Sequence, residues 1–413
     1  MRTVAYLANR FPEAVEPYVN EEMRELRRRG MRVIPGTVRK PKLHSHGSKV
    51  VVDEKEIVSL QPIRILTMVR ALVLIMRHWR QIASLLRRVL LQGSEPSKQR
   101  LKALLHTALG ACYAAELKGR GVDHIHVHHG YFGSWIALTA ARLLNITYSL
   151  TLHGSDLLLK GAYLETKLED CRFCATISEY NRRYILTNFP ALEPEKVSVC
   201  RLGVAVPEHL ESTGRSPRRT GCLTLLAVGR LQPVKDHAFL VRACARLRDR
   251  GISFACAIAG DGPERHPLEL SIRENGLENQ FALLGHVPRS RMDSLYRKAD
   301  VLVLTSRSEG IPLVLMEAMA RSTIVLAPAI TGIPEIVIPG KTGFLYIPGV
   351  VEDFVEKILF LDQLLRAETA AFSPLDWIRH AARVQVLHNF NSTRNLIHFG
   401  DQFLARIANP SLP

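Results

Sequence analysis

Short apolar runs alternate with helix-patterned segments along this chain, and the alternation occurs twice. "TVAYLA" (Thr3–Ala8) reads as a strand, "PYVNEEMRELRRRG" as a helix closing at Gly30, and "MRVIPGTV" as the next strand. The order continues through "HIHVHH", "TYSLTLHG" and "CATISEY". Strand and helix in strict succession predict a parallel sheet with helices on both faces. The stretch "PEHLESTGRSPRRTG" (Pro207–Gly221) interrupts the pattern: it is polar, rich in Gly, Pro and Ser, and aperiodic, so it predicts a linker. The alternation then restarts. Strands are expected at "LTLLAVG", "FACAIAG", "FALLG", "VLVLTS" and "TIVLAP". Helices are expected at "DHAFLVRACARLRDRG", "PLELSIRENG", "RSRMDSLYRKA", "PLVLMEAMA" and "IPEIVI". A last helix, "STRNLIHFGDQFLARIA", closes the chain. The predicted fold class is α/β, with two Rossmann-like, doubly wound domains at 1–217 and 218–388, and 389–413 as a helix packing back toward the first. A length of 413 residues suits two cores better than one.

Charge is uneven. The formal net charge is +16 and the pI about 9.8. Up to Pro217 there are 32 Lys and Arg against 20 Asp and Glu, leaving 23 against 19 for the rest. A basic first half attracts nucleic acid, anionic lipid or phosphorylated substrates. The segment 62–119 reads as helical, with Arg64, Arg70, Arg77, Arg80, Arg87 and Arg88 among apolar residues and only Glu95 and Glu116 as acids. Two readings fit it: a basic amphipathic surface lying on anionic lipid, or a helical insertion with solvated arginines. No run reaches the roughly 18 apolar residues that span a bilayer, and the opening reads as a strand rather than a signal peptide. The seven cysteines fall at apolar or helical positions, as reduced core thiols of a cytoplasmic protein do; the lone Cys171-x-x-Cys174 pair reads as one helix-end thiol and one buried thiol. His124, His126 and His128 share one face of a strand. Parallel neighbours on one strand rarely converge on one ion, so no metal is expected there.

In open α/β sheets a ligand lies beyond the carboxyl ends of the strands, and the chemically suggestive residues fall there. In "AVGRLQPVKDH", Gly229 permits a tight turn, and Arg230 and Lys235 are two cations suited to a diphosphate. In "AIAGDGPERHPL", Gly260 and Gly262 follow a strand, but Arg265 stands where a dinucleotide fingerprint needs its third glycine. The pair reads as a turn that lets backbone approach a ligand. In "VLVLTSRSEGIPLVLMEAMA", Gly310 frees the backbone and Pro312 fits a first helical turn whose open amides suit an anion. Glu309 just outside that helix and Glu317 within it are acceptors for sugar hydroxyls on either side of the turn. The bland alternative is an acid favoured by a helix dipole beside an ordinary helix glutamate.

Gly-Arg-x4-Lys, Gly-Asp-Gly-Pro, Gly-His-Val and Glu-Gly-x6-Glu occur in order, each at a strand exit. The set resembles the retaining family 4 (group 1) glycosyltransferases of GT-B fold, over Leu223 to about Pro348. The resemblance implies two domains facing a cleft. It implies that Arg230 and Lys235 bind the donor diphosphate, Glu309 the donor sugar and Glu317 the ribose, with Val287 beside the base. Gly229, Gly260, Gly262, Gly310, Ile311 and Pro312 complete the expected donor site. In the first half, "LTLHGSDLL" is similar to the family's T-x-H-G-x-D segment, which implies that His153 faces the transferred sugar and that Asp156 orients the following helix. "RFPEAVEPYVNEE" resembles the opening of members that build exopolysaccharide repeat units, colanic-acid type included. Phe11, Pro12 and Glu16 match it, with Glu16 on the acceptor side, while Val15 and Pro17 depart from it.

The resemblance implies a cytoplasmic, metal-independent hexosyltransferase with retention. It would use a nucleotide diphosphate sugar as donor, no cofactor, and a lipid-linked glycan as acceptor; the basic amphipathic reading of 62–119 adds peripheral contact with an anionic membrane. A GT-B epimerase or a phosphorylase-like enzyme is the alternative among enzymes. A basic nucleic-acid-binding protein is the alternative outside them, but no aromatic-interleaved basic motif supports nucleic acid as a partner.

Overall fold

The computed structural model describes residues 1–11, 17–39, 56–92, 95–159, 161–207, 221–369 and 373–408. Glu16, Pro12 and Val15, and the expected linker apart from Pro207 and Gly221, lie outside the described residues. The chain divides into two compact units: Met1–Cys200 with Leu396–Pro413, and Arg201–Asn395.

The first unit runs β1 (Thr3–Arg10), α1 (Pro17–Arg28), β2 (Arg32–Arg39), β3 (Val58–Ser59), α2 (Ile65–Arg77), α3 (Trp79–Leu90), α4 (Ser97–Leu117), β4 (His124–His128), α5 (Phe132–Leu144), β5 (Thr147–Leu152), α6 (Ser155–Leu158), α7 (Leu164–Asp170), β6 (Cys174–Thr176), α8 (Glu179–Asn188) and β7 (Val197–Val199). Its seven strands are parallel in the order β3-β2-β1-β4-β5-β6-β7. Local chemistry sets the ends. Gly30, at φ +82°, and Asn145, at φ +56°, close α1 and α5 in the left-handed region, and the Ser178 hydroxyl accepts from the Asn181 amide to open α8. Every residue of β4 is buried, as expected of a central parallel strand covered on both faces. The segment 62–119 is helical as expected and forms three helices. α2 ends at His78, and α3 is separated from α4 by residues 91–96. Gly110 lets α4 lie against α5, because a Cβ there would come 2.6 Å from the Thr139 Cβ.

The second unit runs β8 (Leu223–Val228), α9 (His237–Asp249), β9 (Phe254–Ala259), α10 (Arg265–Glu274), β10 (Phe281–Gly285), α11 (Arg289–Lys298), β11 (Val301–Val303), α12 (Leu313–Met319), β12 (Ile324–Pro328), β13 (Phe344–Tyr346), α13 (Val351–Arg366) and α14 (Asp376–Asn389). Its strands are parallel in the order β10-β9-β8-β11-β12-β13. The helix expected over "IPEIVI" is only a 3-10 turn at Ile333–Glu335. Pro339 disfavours helical backbone at Ile338, and Gly340 follows at φ +71°. Pro312 is the residue before α12 rather than part of its first turn. The last helix, α15 (Ser392–Ala408), starts in the second unit, and from Leu396 it belongs to the first. There Phe399, Phe403 and Ile407 are buried with Val4, Met23 and Phe173.

Candidate functional site

In the second unit, backbone hydrogen bonds lace three strand exits together. The Gly229 amide donates to the Ala259 carbonyl (3.0 Å), Leu231 to Asp261 (3.0 Å), Glu264 to Leu231 (3.1 Å) and Gly260 to Gly285 (2.9 Å). Gly260 and Gly262 make this approach possible. A Cβ on Gly260 would lie 1.8 Å from the Gly229 oxygen, and one on Gly262 would lie 2.3 Å from the Leu231 oxygen. The neighbour each glycine admits here is protein backbone.

The loop after β8 is joined to the loop after β11. The Lys235 ammonium pairs with the Glu309 carboxylate. The Thr305 hydroxyl donates to the Lys235 carbonyl (2.9 Å), the Arg307 amide to the Val234 carbonyl (2.8 Å), and the Arg307 guanidinium to Asp236 (2.7 Å). The aliphatic stem of Lys235 runs beside Gly229; a Cβ there would lie 3.6 Å from its Cδ. Two groups hold Glu309 and Gly310 in place. Thr331 donates to the Glu309 carbonyl (2.5 Å), and Gly332 packs so closely that a Cβ would come 2.7 Å from the Gly310 oxygen. Ile311 and Pro312 are buried beneath this turn. Glu317 is half-buried and accepts from the Tyr296 hydroxyl at 2.6 Å. Burial, then the Glu317 charge, pushes the Tyr296 phenol far up, so it stays a donor. Val287 is half-buried at the end of the β10 loop. Arg230 is exposed, and its guanidinium bonds to no described residue. Thus Lys235 and Glu309 meet directly, and Arg230 shares the Lys235 loop. Thr331 and Tyr296 were not signalled by the sequence, because each reaches its partner from a separate element.

In the first unit, His153 follows β5. Asp156 is fully buried and accepts from the amides of Gly130 (2.9 Å), His153 (3.1 Å) and Gly154 (2.7 Å), so it fixes the loop that precedes the short α6. Burial alone would push this carboxyl up, but the nearby His129, His153 and the amide donors hold it below the usual carboxylate range. Burial, reinforced by His129 and His128, pushes the His153 imidazole well down, against the opposing charge of Asp156. The His153 Nε2 is 2.9 Å from His128 Nδ1. His128 Nε2 is 2.9 Å from both the Glu22 carboxylate and the Tyr6 hydroxyl, and Tyr6 also donates to Glu22.

Ligand atoms of Glu22, His126 and His128 lie within 4.8 Å of one another. A helix carboxylate therefore joins two of the three strand histidines, an approach the strand pattern alone does not show. Hydrogen bonds occupy the ring nitrogens. His126 already bonds Ser149 (2.7 Å) and Thr151 (3.1 Å) through its two ring nitrogens, and both nitrogens of His128 are engaged. His124 likewise bonds Thr147 and Ser149 (both 2.7 Å). Cys171 and Cys174 are buried, and each thiol faces a backbone carbonyl.

Two parallel-sheet, Rossmann-like units in series are the architecture of GT-B glycosyltransferases, and solved structures of that class match along nearly the whole chain. A glycosyltransferase from Rickettsia africae superimposes with a TM-score of 0.68 at 18% identity, over 99% of both chains. An Anabaena protein in complex with UDP and glucose does so with a TM-score of 0.65 at 15% identity, over 98% of this chain and 100% of that one. The family described as "Glycosyl transferases group 1" matches residues 211–368. An uncharacterized glycosyltransferase of Methanocaldococcus jannaschii is 32% identical over 253 residues, 59% of this chain and 67% of that protein. The chain belongs to the group 1 glycosyltransferase family. A putative colanic acid biosynthesis glycosyltransferase of Salmonella typhimurium is 32% identical over 209 residues. The chain spans about half the length of such curated relatives, 48% in this case.

Proposed function

We propose that the chain transfers a hexose-type sugar from a nucleotide diphosphate sugar to a growing, lipid-linked exopolysaccharide, with retention at the anomeric carbon. The observation that carries this reading is the Lys235–Glu309 pair at joined strand exits, with Arg230 uncommitted on the same loop. Each member satisfies the other until a donor arrives. The diphosphate then takes Lys235 and Arg230, and sugar hydroxyls take Glu309. Glu317, oriented by Tyr296, accepts from the ribose hydroxyls. The acceptor oxygen forms a bond to the anomeric carbon on the face from which the nucleoside diphosphate departs. The carbon–oxygen bond to the diphosphate breaks, and a leaving phosphate oxygen takes the acceptor proton. Two cations stabilise the departing charge, the term that usually dominates such catalysis, and the step needs no metal. His153, whose loop Asp156 fixes, is assigned to a hydroxyl of the transferred sugar. Replacing Arg230 and Lys235 with alanine is expected to lower sugar transfer at least tenfold, about 1.4 kcal/mol of transition-state stabilisation. Turnover within that limit removes the diphosphate assignment.

We also propose that α2 rests on the cytoplasmic face of an anionic membrane. It buries only Thr67, Ala71 and Leu74 as a narrow strip, and turns Ile65, Leu66, Met68, Val69, Leu72, Val73 and Met76 outward, each more than half exposed. Helical geometry places Arg70 and Arg77 along one border of that apolar arc. Arg64, Arg70, Arg77, Arg80 and Arg87 are exposed and pair with no described carboxylate. The segment's two acids are engaged, Glu95 by Arg88 (2.9 Å) and Glu116 by Thr67 (2.5 Å). Anionic headgroups complement these cations, whereas a second copy packed on the same face would oppose arginine to arginine. No helix among the described residues is long and apolar enough to cross a membrane.

A further inference from the structure

We infer that Glu22 and His128 are positioning residues that set the tautomer of His153 and present its Nδ1 as a hydrogen-bond acceptor. The inference deepens the proposed transferase reading and rests on it for the role of His153.

Donors and acceptors are assigned from the inside out. Glu22, as a carboxylate, has no proton to give, so the His128 Nε2 at 2.9 Å must carry the hydrogen. The Tyr6 hydroxyl agrees: it gives its proton to Glu22, and its oxygen, 2.9 Å from the same His128 nitrogen, faces it as an acceptor. With its one hydrogen on Nε2, the His128 ring has a bare lone pair on Nδ1. That lone pair accepts from His153 Nε2 at 2.9 Å, so the His153 hydrogen sits on Nε2. The His153 Nδ1 is then a lone pair, and it bonds to no described residue. His153 is fixed at both ends: the Asp156 carboxylate accepts from its backbone amide (3.1 Å), and Tyr18 and His129 pack against its ring at 4.9 and 4.4 Å between centroids. Burial, with His129 and His128 nearby and against Asp156, keeps the imidazole neutral near pH 7. The chain Glu22–His128–His153 is built of residues from α1, the end of β4 and the end of β5, so three elements must be correctly placed to form it. An Nδ1 acceptor in that loop suits the hydroxyl of a sugar.

The test is Glu22→Gln in the full chain. Glutamine keeps the shape, but its amide can donate to His128 Nε2, which reverses both imidazoles and puts the His153 hydrogen on Nδ1. Loss of a carboxylate that orients an imidazole acts through the tautomer and leaves geometry intact. Nitrogen-15 NMR of the ring is expected to show His153 protonated at Nε2 in the parent and at Nδ1 in the variant. The kcat for sugar transfer is expected to fall by roughly tenfold or more, with the donor KM within about threefold and an unchanged melting temperature. A parent His153 protonated at Nδ1, or a variant with the parent's nitrogen pattern, overturns the inference. So does a His153→Ala variant with parental kcat, because the relay would then have nothing to position. The nitrogen pattern is read without any assay of transfer, so it separates failure of the relay from failure of the transferase reading.

Discussion

Glycine at position 260 is required by its neighbour. A methyl group there would overlap the Gly229 carbonyl, whose oxygen is fixed in the seam between the β8 and β9 exits. Gly260→Ala is therefore expected to lower stability by about 1–3 kcal/mol, as overpacking does. Gly251→Ala, at φ +75° with nothing within 4 Å, meets only backbone strain of roughly 1 kcal/mol. Thermal unfolding of the two variants, with and without donor, checks the order; Gly260→Ala melting above Gly251→Ala would contradict it. At this scale the sequence exposed the residues whose chemistry is local. Gly229, Arg230, Lys235, Glu309 and Glu317 could be picked out because each follows a strand at a characteristic spacing. The residues that orient them could not. Tyr296 reaches Glu317 across 21 positions and Thr331 reaches Glu309 across 22, and such contacts exist only once helices have packed. Glu22 was hidden for the same reason, since it meets His128 across 106 positions.

Among the elements, the alternation of strands and helices carried most of the fold, because a parallel strand needs a crossover and its helix leaves a periodic trace. Failures came where an apolar run had no context. "IPEIVI" has the hydrophobicity of a buried helix, yet Pro339 and the left-handed Gly340 stop it after one turn. α13 and α14 lie in a stretch to which no element was assigned, although the buried Phe354, Val355, Ile358, Leu361 and Leu365 of α13 follow helical spacing. In α2 the composition was legible and the facing was not, because nothing in an apolar helix says which side its own domain will cover. The outward face gives a direct expectation. Val69→Glu with Leu72→Glu should abolish flotation of the chain with phosphatidylglycerol vesicles and leave the melting temperature unchanged, since both side chains are more than half exposed. Retained flotation would overturn the membrane proposal. So would a dimer in the parent chain that the two substitutions dissolve.

For the whole molecule, the claim that matters most is that the second unit holds a nucleotide diphosphate sugar. The excess positive charge is concentrated in the first half, so the charge of the chain as a whole does not explain donor binding. On the proposed reading, donor binding rests on a few cations at strand exits. Calorimetric titration of the full chain with UDP-, GDP- and ADP-sugars measures it without an acceptor or a membrane. The account predicts saturable binding of one of these donors. It also predicts at least a tenfold loss of affinity, about 1.4 kcal/mol, when Arg230 and Lys235 are both alanine. Equal affinity in the parent and the double variant, or no binding of any of the three, would contradict it.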